Sequence, residues 1–286
     1  MPSLSALLHL DPFDPRRTLV TSPFFSPRML AALRFAIACY TTVTLIINIV
    51  WAAVVEKDAA GFFSYFTHLT YCGICGYFWA AGLQTALYAR RGQNTYPLQR
   101  WAKPLRGLHL TLLSTITTYP ILVSIVFWGL LADASTFDTR YDAWSAISVH
   151  LLNSVFALFE ILLTHTPAAA WLLLVPGLLL LAGYVGIVYI TFDTQGFYAY
   201  SFMNPKGHPG KLALYIAGIG IAECVIFAAV HGLVVLRTRV RPPTPAPAPG
   251  APILIITGAN AIAWDDVNMD SDSALPLPAE KKALEV

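Results

Sequence analysis

One imidazole lies well inside an apolar run. His150 follows seven residues after Ala143 in a stretch that continues to Thr164 and carries one other ionisable group, Glu160. A side chain that titrates near neutral pH is costly to hold in hydrocarbon, so its presence there points to function. The chemistry open to it is proton transfer. A neutral imidazole takes the proton of a hydroxyl, makes that oxygen a nucleophile, and returns the proton to a leaving alkoxide.

Hydroxyls are found in a second apolar segment, where Ser64, Thr67, His68, Thr70 and Tyr71 follow one another at helical spacings. A threonine in a membrane helix commonly bonds back to the carbonyl one turn earlier and does nothing more. Around His150, Asn153, Ala157 and Glu160 follow at intervals of three, four and three, which keeps them on one side of a helix. Such a stripe also suits plain hydrogen bonding between helices. Glu223 and His231 add polar groups to a later apolar segment.

Residue counting tests which of these groups can meet. With a helical rise of about 1.5 Å per residue, Thr70 lies about 12 Å and His150 about 11 Å from the same membrane face. Glu160 lies about 15 Å further along its helix, too far to orient that imidazole. Asp193 and Tyr200, in the loop from Phe192 to Met203, are further candidate partners of His150 on that side. The loop's aromatics serve either as interfacial anchors or as a roof over Thr70 and His150.

The elements that must position these residues are membrane helices. Of 286 residues, 56% are hydrophobic and 12% charged, with a mean hydropathy of +0.60; soluble domains are about 25% charged. Six segments approach the ~20 apolar residues that span a bilayer: Leu30 to Val54, Phe62 to Tyr88, Gly107 to Leu131, Ala143 to Thr164, Trp171 to Thr191 and Leu212 to Leu236. The expected fold is an all-α polytopic bundle of about six transmembrane helices. A segment 1–29 precedes the membrane domain, 30–236, and a tail, 237–286, follows it. Asp11, Pro12, Asp14 and Pro15 interrupt the first thirty residues, so the first span is expected to act as an uncleaved insertion signal.

Charge sets the expected orientation. Arg90, Arg91, Arg100, Lys103 and Arg106 gather after span two and Arg237, Arg239 and Arg241 after span six, whereas Asp133, Asp138 and Asp142 dominate the loop after span three. The positive-inside rule puts both termini in the cytoplasm, of an endoplasmic reticulum, other endomembrane or plasma membrane protein. The net charge of +2 follows topology and implies no nucleic acid. Cys39, Cys72, Cys75 and Cys224 all fall in predicted spans, so no disulfide framework, metal site or cofactor is expected. Cys72, Gly76 and Ala80 instead suggest a small-residue stripe that admits a neighbouring helix. Pro120 and Pro176 are expected to kink their spans. Arg241 to Pro252 reads as a polyproline-like linker, and the residues after it as disordered despite the Ile253 to Ile256 run.

Three ordered motifs resemble a known family. Leu69, Thr70 and Tyr71 are followed by Gly82; Trp144, His150 and Glu160 stand at intervals of six and ten; and Gly196-Phe-Tyr-Ala-Tyr200-Ser-Phe202 follows span five. From about Phe62 to Leu236 the chain resembles the androgen-induced protein family of multi-span lipid hydrolases, which includes the androgen-dependent tissue-factor-pathway-inhibitor-regulating protein. The resemblance implies hydrolysis of fatty acid esters of hydroxy fatty acids, or similar acyl lipids, within the bilayer, with Thr70 as nucleophile and His150 as its partner. Thr67 is a rival nucleophile one turn away, and Asn153, Asp193 and Tyr200 are candidate supporting residues. Family members carry Asn and His where this chain has Ala146 and Ile147, and Asp where it has Gly73. Two other readings are a transporter whose polar path uses His150, Glu160, Glu223 and His231, and a non-catalytic adaptor working through its tail.

Overall fold

Ser26 and Pro27 start the first membrane helix. The Ser26 hydroxyl accepts a hydrogen bond from the Met29 amide at 3.3 Å, and Pro27 takes the first helical position, where no N–H is needed. This helix, α1 (Pro27–Trp51), continues as a π-helical turn, Ala52–Glu56. It is followed by α2 (Phe66–Arg90), α3 (Lys103–Val126) with its own π-helical turn Phe127–Leu131, α4 (Arg140–His150), α5 (Leu152–Leu163), α6 (Leu174–Gln195) and α7 (Pro209–Val240). The computed structural model describes residues 8, 10–92, 94–206, 209–243, 254–257 and 260–263.

The architecture is an all-α bundle. Five stretches are long and apolar enough to cross a membrane: Pro27–Glu56, Lys103–Leu131, Arg140–Leu163, Trp171–Gln195 and Gly210–Val240. The sixth expected span, α2, has 25 residues, but Thr67, His68, Thr70 and Gln84 dilute its hydropathy. Polarity is arranged inside out relative to a soluble protein. Ile46, Ile125, Leu179, Ile221 and Val225 are exposed, whereas Arg34, Thr41, Asn48, Glu160 and Glu223 are buried. An apolar exterior over a polar interior fits an integral membrane protein.

Helix α3 is the centre of the bundle and touches α2, α4, α5, α6 and α7. Its run Ser114 to Pro120 is buried at every residue. Packing is most extensive between α1 and α2, and Gly82 permits it. A Cβ on Gly82 would stand 3.0 Å from the Phe35 ring, while one on Gly76 would meet nothing within 4 Å. The close approach expected at Gly76 is therefore made a turn and a half later, where an aromatic ring needs the space.

Two other expectations change. Pro176 lies in the first turn of α6, where its missing N–H breaks no helical bond, so it starts this helix instead of kinking it. Span four is two helices, α4 and α5, separated at Leu151 (φ −113°, ψ −56°).

Alternating helix directions give the bundle two ends. Glu56, Asp133 and Asp142 mark an acidic end; Arg90, Lys103 and Arg237 mark a basic end. The basic end is closed by the N-terminal segment. Asp14 accepts from the Thr18 amide and hydroxyl, the Leu19 amide and the Tyr96 hydroxyl, and Ser22 donates to the Leu163 carbonyl.

The described residues beyond 246 belong to a second unit. Within it Leu254–Thr257 (β1) pairs antiparallel with Asn260–Ala263 (β2), Leu254 opposite Ala263. Leu254, Ile255 and Ile256 of the aliphatic run lie in β1, while Ile253 and residues 258–259 and 264–286 of the tail expected to be disordered lie outside the described residues. The Pro-rich linker from 244 onward otherwise lies outside the described residues.

Candidate active site

His150 closes α4 one residue before the Leu151 break, and the break is stabilised by side chains. Its carbonyl, freed from the helical ladder, accepts from the Ser124 hydroxyl of α3. Ser124 Oγ also lies 2.6 Å from Ser154 Oγ and 3.2 Å from Asn153 Oδ1, and Ser154 Oγ donates to the Pro120 carbonyl at 2.9 Å. The buried Asn153 thus supports the backbone around His150.

The imidazole itself lies flat on Phe127, with ring centroids 3.5 Å apart and planes 3° from parallel. Its Nδ1 is buried and has no hydrogen-bond partner among the described residues. His150 lines a cavity of about 310 Å³ at the acidic end, together with Asn48, Glu56, His68, Tyr141 and Ser145. Both π-helical turns reach this cavity, through Glu56 and Phe127. Such turns re-aim side chains and are frequent at functional sites. His68 is fixed within the wall: its Nδ1 is 2.6 Å from the Phe62 carbonyl and its ring stacks on Phe62 at 3.9 Å.

A second cavity, about 160 Å³ and almost wholly apolar, lies beside the first. Phe66, Thr67, Tyr184, Tyr200 and Phe202 line it, and Phe127 lines both cavities. Tyr200, Phe202 and Met203 of the loop after α6 line this apolar cavity with Thr67, and no residue of that loop lines the His150 cavity. Gly196 makes that loop possible: at φ 80° it ends α6 in the left-handed region, its amide bonded to the Phe192 carbonyl. Ser64 ties the start of α2 to α6 by accepting from the Thr191 hydroxyl at 2.9 Å and, through its carbonyl, from Tyr184 at 2.8 Å.

Thr70 is placed differently from the expectation of a direct pair with His150. Its hydroxyl donates to the Thr67 carbonyl at 2.9 Å, it lines neither cavity, and no hydrogen bond joins it to His150 among the described residues. Its neighbour one turn on, Gly73, faces Leu112 of α3. Asp193 is exposed at the end of α6 and lines neither cavity. Ala146, one turn before His150, lines the polar cavity, and Ile147 is exposed.

Glu160 belongs to another site. Arg34 grips it bidentately, Nε to Oε1 and Nη2 to Oε2 both at 2.8 Å, with both side chains fully buried. Arg34 Nη1 also donates to the Leu19 carbonyl at 2.8 Å and Thr85 Oγ1 at 2.6 Å. Glu223 accepts from Thr118 at 2.6 Å, and His231 Nδ1 stands 2.9 Å from the Ala169 carbonyl. His150, Glu160, Glu223 and His231 therefore share no cavity among those at the two ends.

At the basic end a cavity of about 680 Å³ lies between the N-terminal segment, α3 and α7, with Phe13, Ser114, His165 and Arg239 in its wall. Burial first, and the Arg237 charge second, hold the His165 imidazole below its ordinary pKa. Among the described residues no three His, Cys, Asp or Glu side chains gather as a metal site, and all four cysteines are free.

Asn48, Tyr141 and Phe127 escaped the sequence reading. Asn48 gave a signal, as the one amide side chain in its apolar span, Leu30 to Val54. Phe127 gave none, since a ring between two cavity linings reads as an ordinary lipid-facing aromatic. Comparison of the chain with protein-family models, with curated proteins and with solved structures finds no significant match.

Proposed function

We propose that the protein is an intramembrane hydrolase of acyl lipids, such as fatty acid esters of hydroxy fatty acids, with His150 as its general base. The observation that carries this reading is the position of His150: an imidazole with an unpartnered buried nitrogen, stacked on Phe127 in a polar cavity that shares that residue with an apolar cavity. An ester with its acyl chain in the apolar cavity and its polar end beside His150 would place its carbonyl near Phe127. Orientation follows the charge pattern, with both termini cytoplasmic and the site near the opposite face.

The nucleophile is a threonine of the first turns of α2. Thr70 is the residue that the family resemblance favours and must release the Thr67 carbonyl to act; Thr67 already lines the apolar cavity. Either hydroxyl must meet the imidazole past Phe127, so rotation of that ring belongs to the reaction. As the threonine oxygen bonds to the ester carbon, His150 takes its proton. The C–O bond to the alcohol then breaks and the imidazolium protonates the departing alkoxide. Water, deprotonated by the same imidazole, then bonds to the acyl carbon; the C–O bond to the threonine breaks, the imidazolium returns the proton to the threonine oxygen, and the fatty acid leaves.

Labelling of the purified protein by a fluorophosphonate carrying a long alkyl chain tests this reading. Labelling should be lost in His150→Ala and in one of Thr67→Ala and Thr70→Ala. Full labelling of folded His150→Ala protein would sink the proposal. Loss in only one threonine variant identifies the nucleophile.

A further inference from the structure

The polar cavity contains a second buried group with an unmet hydrogen bond. Asn48, 3% exposed on α1, lines the same cavity as His150. Its carbonyl oxygen Oδ1 accepts from the Tyr141 hydroxyl at 2.6 Å and from the Ser145 hydroxyl at 2.8 Å, both on α4. Its Nδ2 is buried with no partner among the described residues.

Both hydroxyls meet the amide through its oxygen. With Oδ1 held by Tyr141 and Ser145, both N–H groups of Nδ2 are left to the other side. Tyr141 is itself held, its ring stacked on Trp51 with centroids 3.9 Å apart, so the amide rests on a rigid support. A buried N–H donor is costly to leave unpaired, and this one lines a cavity from which an acceptor can complete it.

The two groups face one cavity from opposing helices. Asn48 is bonded at the level of Tyr141 and Ser145, and His150 lies five residues beyond Ser145, about 7.5 Å deeper along α4. An oxygen lodged between them meets a neutral donor on one side and a proton-transfer group on the other.

We infer that Asn48 is the carbonyl-binding residue of this cavity: its Nδ2–H donates to the acyl carbonyl oxygen of a bound fatty acid ester, with Tyr141 and Ser145 as positioning residues. The cavity thereby takes a carboxylic ester and discriminates against an ether lipid of the same length, which has no carbonyl to accept the bond. The inference rests on the proposed hydrolase for its catalytic meaning. In that reaction the developing oxyanion shortens the same hydrogen bond, an arrangement in which one preorganised donor is worth about 100-fold or more in turnover.

Isotope-edited infrared spectroscopy tests the binding step apart from turnover. A palmitate ester of a hydroxy fatty acid, labelled at the carbonyl carbon, is bound to full-length protein in the His150→Ala background, where it is not consumed. The carbonyl stretch should shift down on binding. The shift should vanish in the similarly shaped Asn48→Leu, which donates nothing. In the otherwise native chain, Asn48→Leu should lower kcat about 100-fold and also raise KM, since the bond to the ground-state carbonyl is lost, and Tyr141→Phe should do both to a lesser extent. An unshifted carbonyl in bound ester, or a shift that survives in folded Asn48→Leu, overturns the inference. An Asn48-dependent shift in a protein whose wild type turns over no ester would leave the inference standing and remove the hydrolase.

Discussion

The Arg34–Glu160 pair shows how a single residue's partner decides its role. Both side chains are fully buried and joined by two 2.8 Å bonds, so removal of one member strands a charge in a low-dielectric interior. Arg34→Met or Glu160→Gln should cost about 3–5 kcal/mol, and the double replacement Arg34→Met with Glu160→Leu distinctly less. Thermal unfolding in detergent measures the difference, while probe labelling per folded molecule should stay as in the wild type, because the pair is remote from His150. Spacing along one helix suffices to separate Glu160 from His150. It cannot reveal Arg34, because a partner on another span leaves no mark in the local pattern. The same limit applies to Thr67 and Thr70, which share a helix turn yet differ in what surrounds them: one faces a cavity and the other donates to its own backbone.

At the level of elements, length and apolarity make the spans legible, since hydrocarbon thickness fixes how long a helix must be. The α4–α5 break is not legible, because no glycine or proline marks it and its support comes from Ser124 on α3. Ser124→Ala should therefore cost about 1 kcal/mol in stability but reduce turnover more than that loss predicts, since it releases the backbone that carries His150. Paired measurement of melting temperature and kcat separates the two effects. At the α1–α2 interface, Gly82→Leu forces carbon into the Phe35 ring and should destabilise by about 1–3 kcal/mol. Adding Phe35→Ala should recover part of that loss; no recovery would place the clash elsewhere.

For the molecule as a whole, the N-terminal segment fastens the basic end. The Thr21 carbonyl accepts from the His165 amide at 3.0 Å and the Thr21 hydroxyl stands 3.0 Å from His165 Nδ1. Because the folded protein holds the His165 pKa below its ordinary value, the neutral ring contributes stability above about pH 6.5 that is lost as pH falls toward the depressed value. Acidification should thus speed limited proteolysis between residues 11 and 25, and His165→Gln should flatten that pH dependence. The segment's partners also set an order of events during synthesis. Asp14 waits for Tyr96, 82 residues later, Ser22 for Leu163, 141 later, and Thr21 for His165, 144 later. The segment 11–25 is made before its partners and is therefore among the last to settle. A nascent chain halted before residue 165 should leave residues 11–25 open to protease, and one halted after it should not.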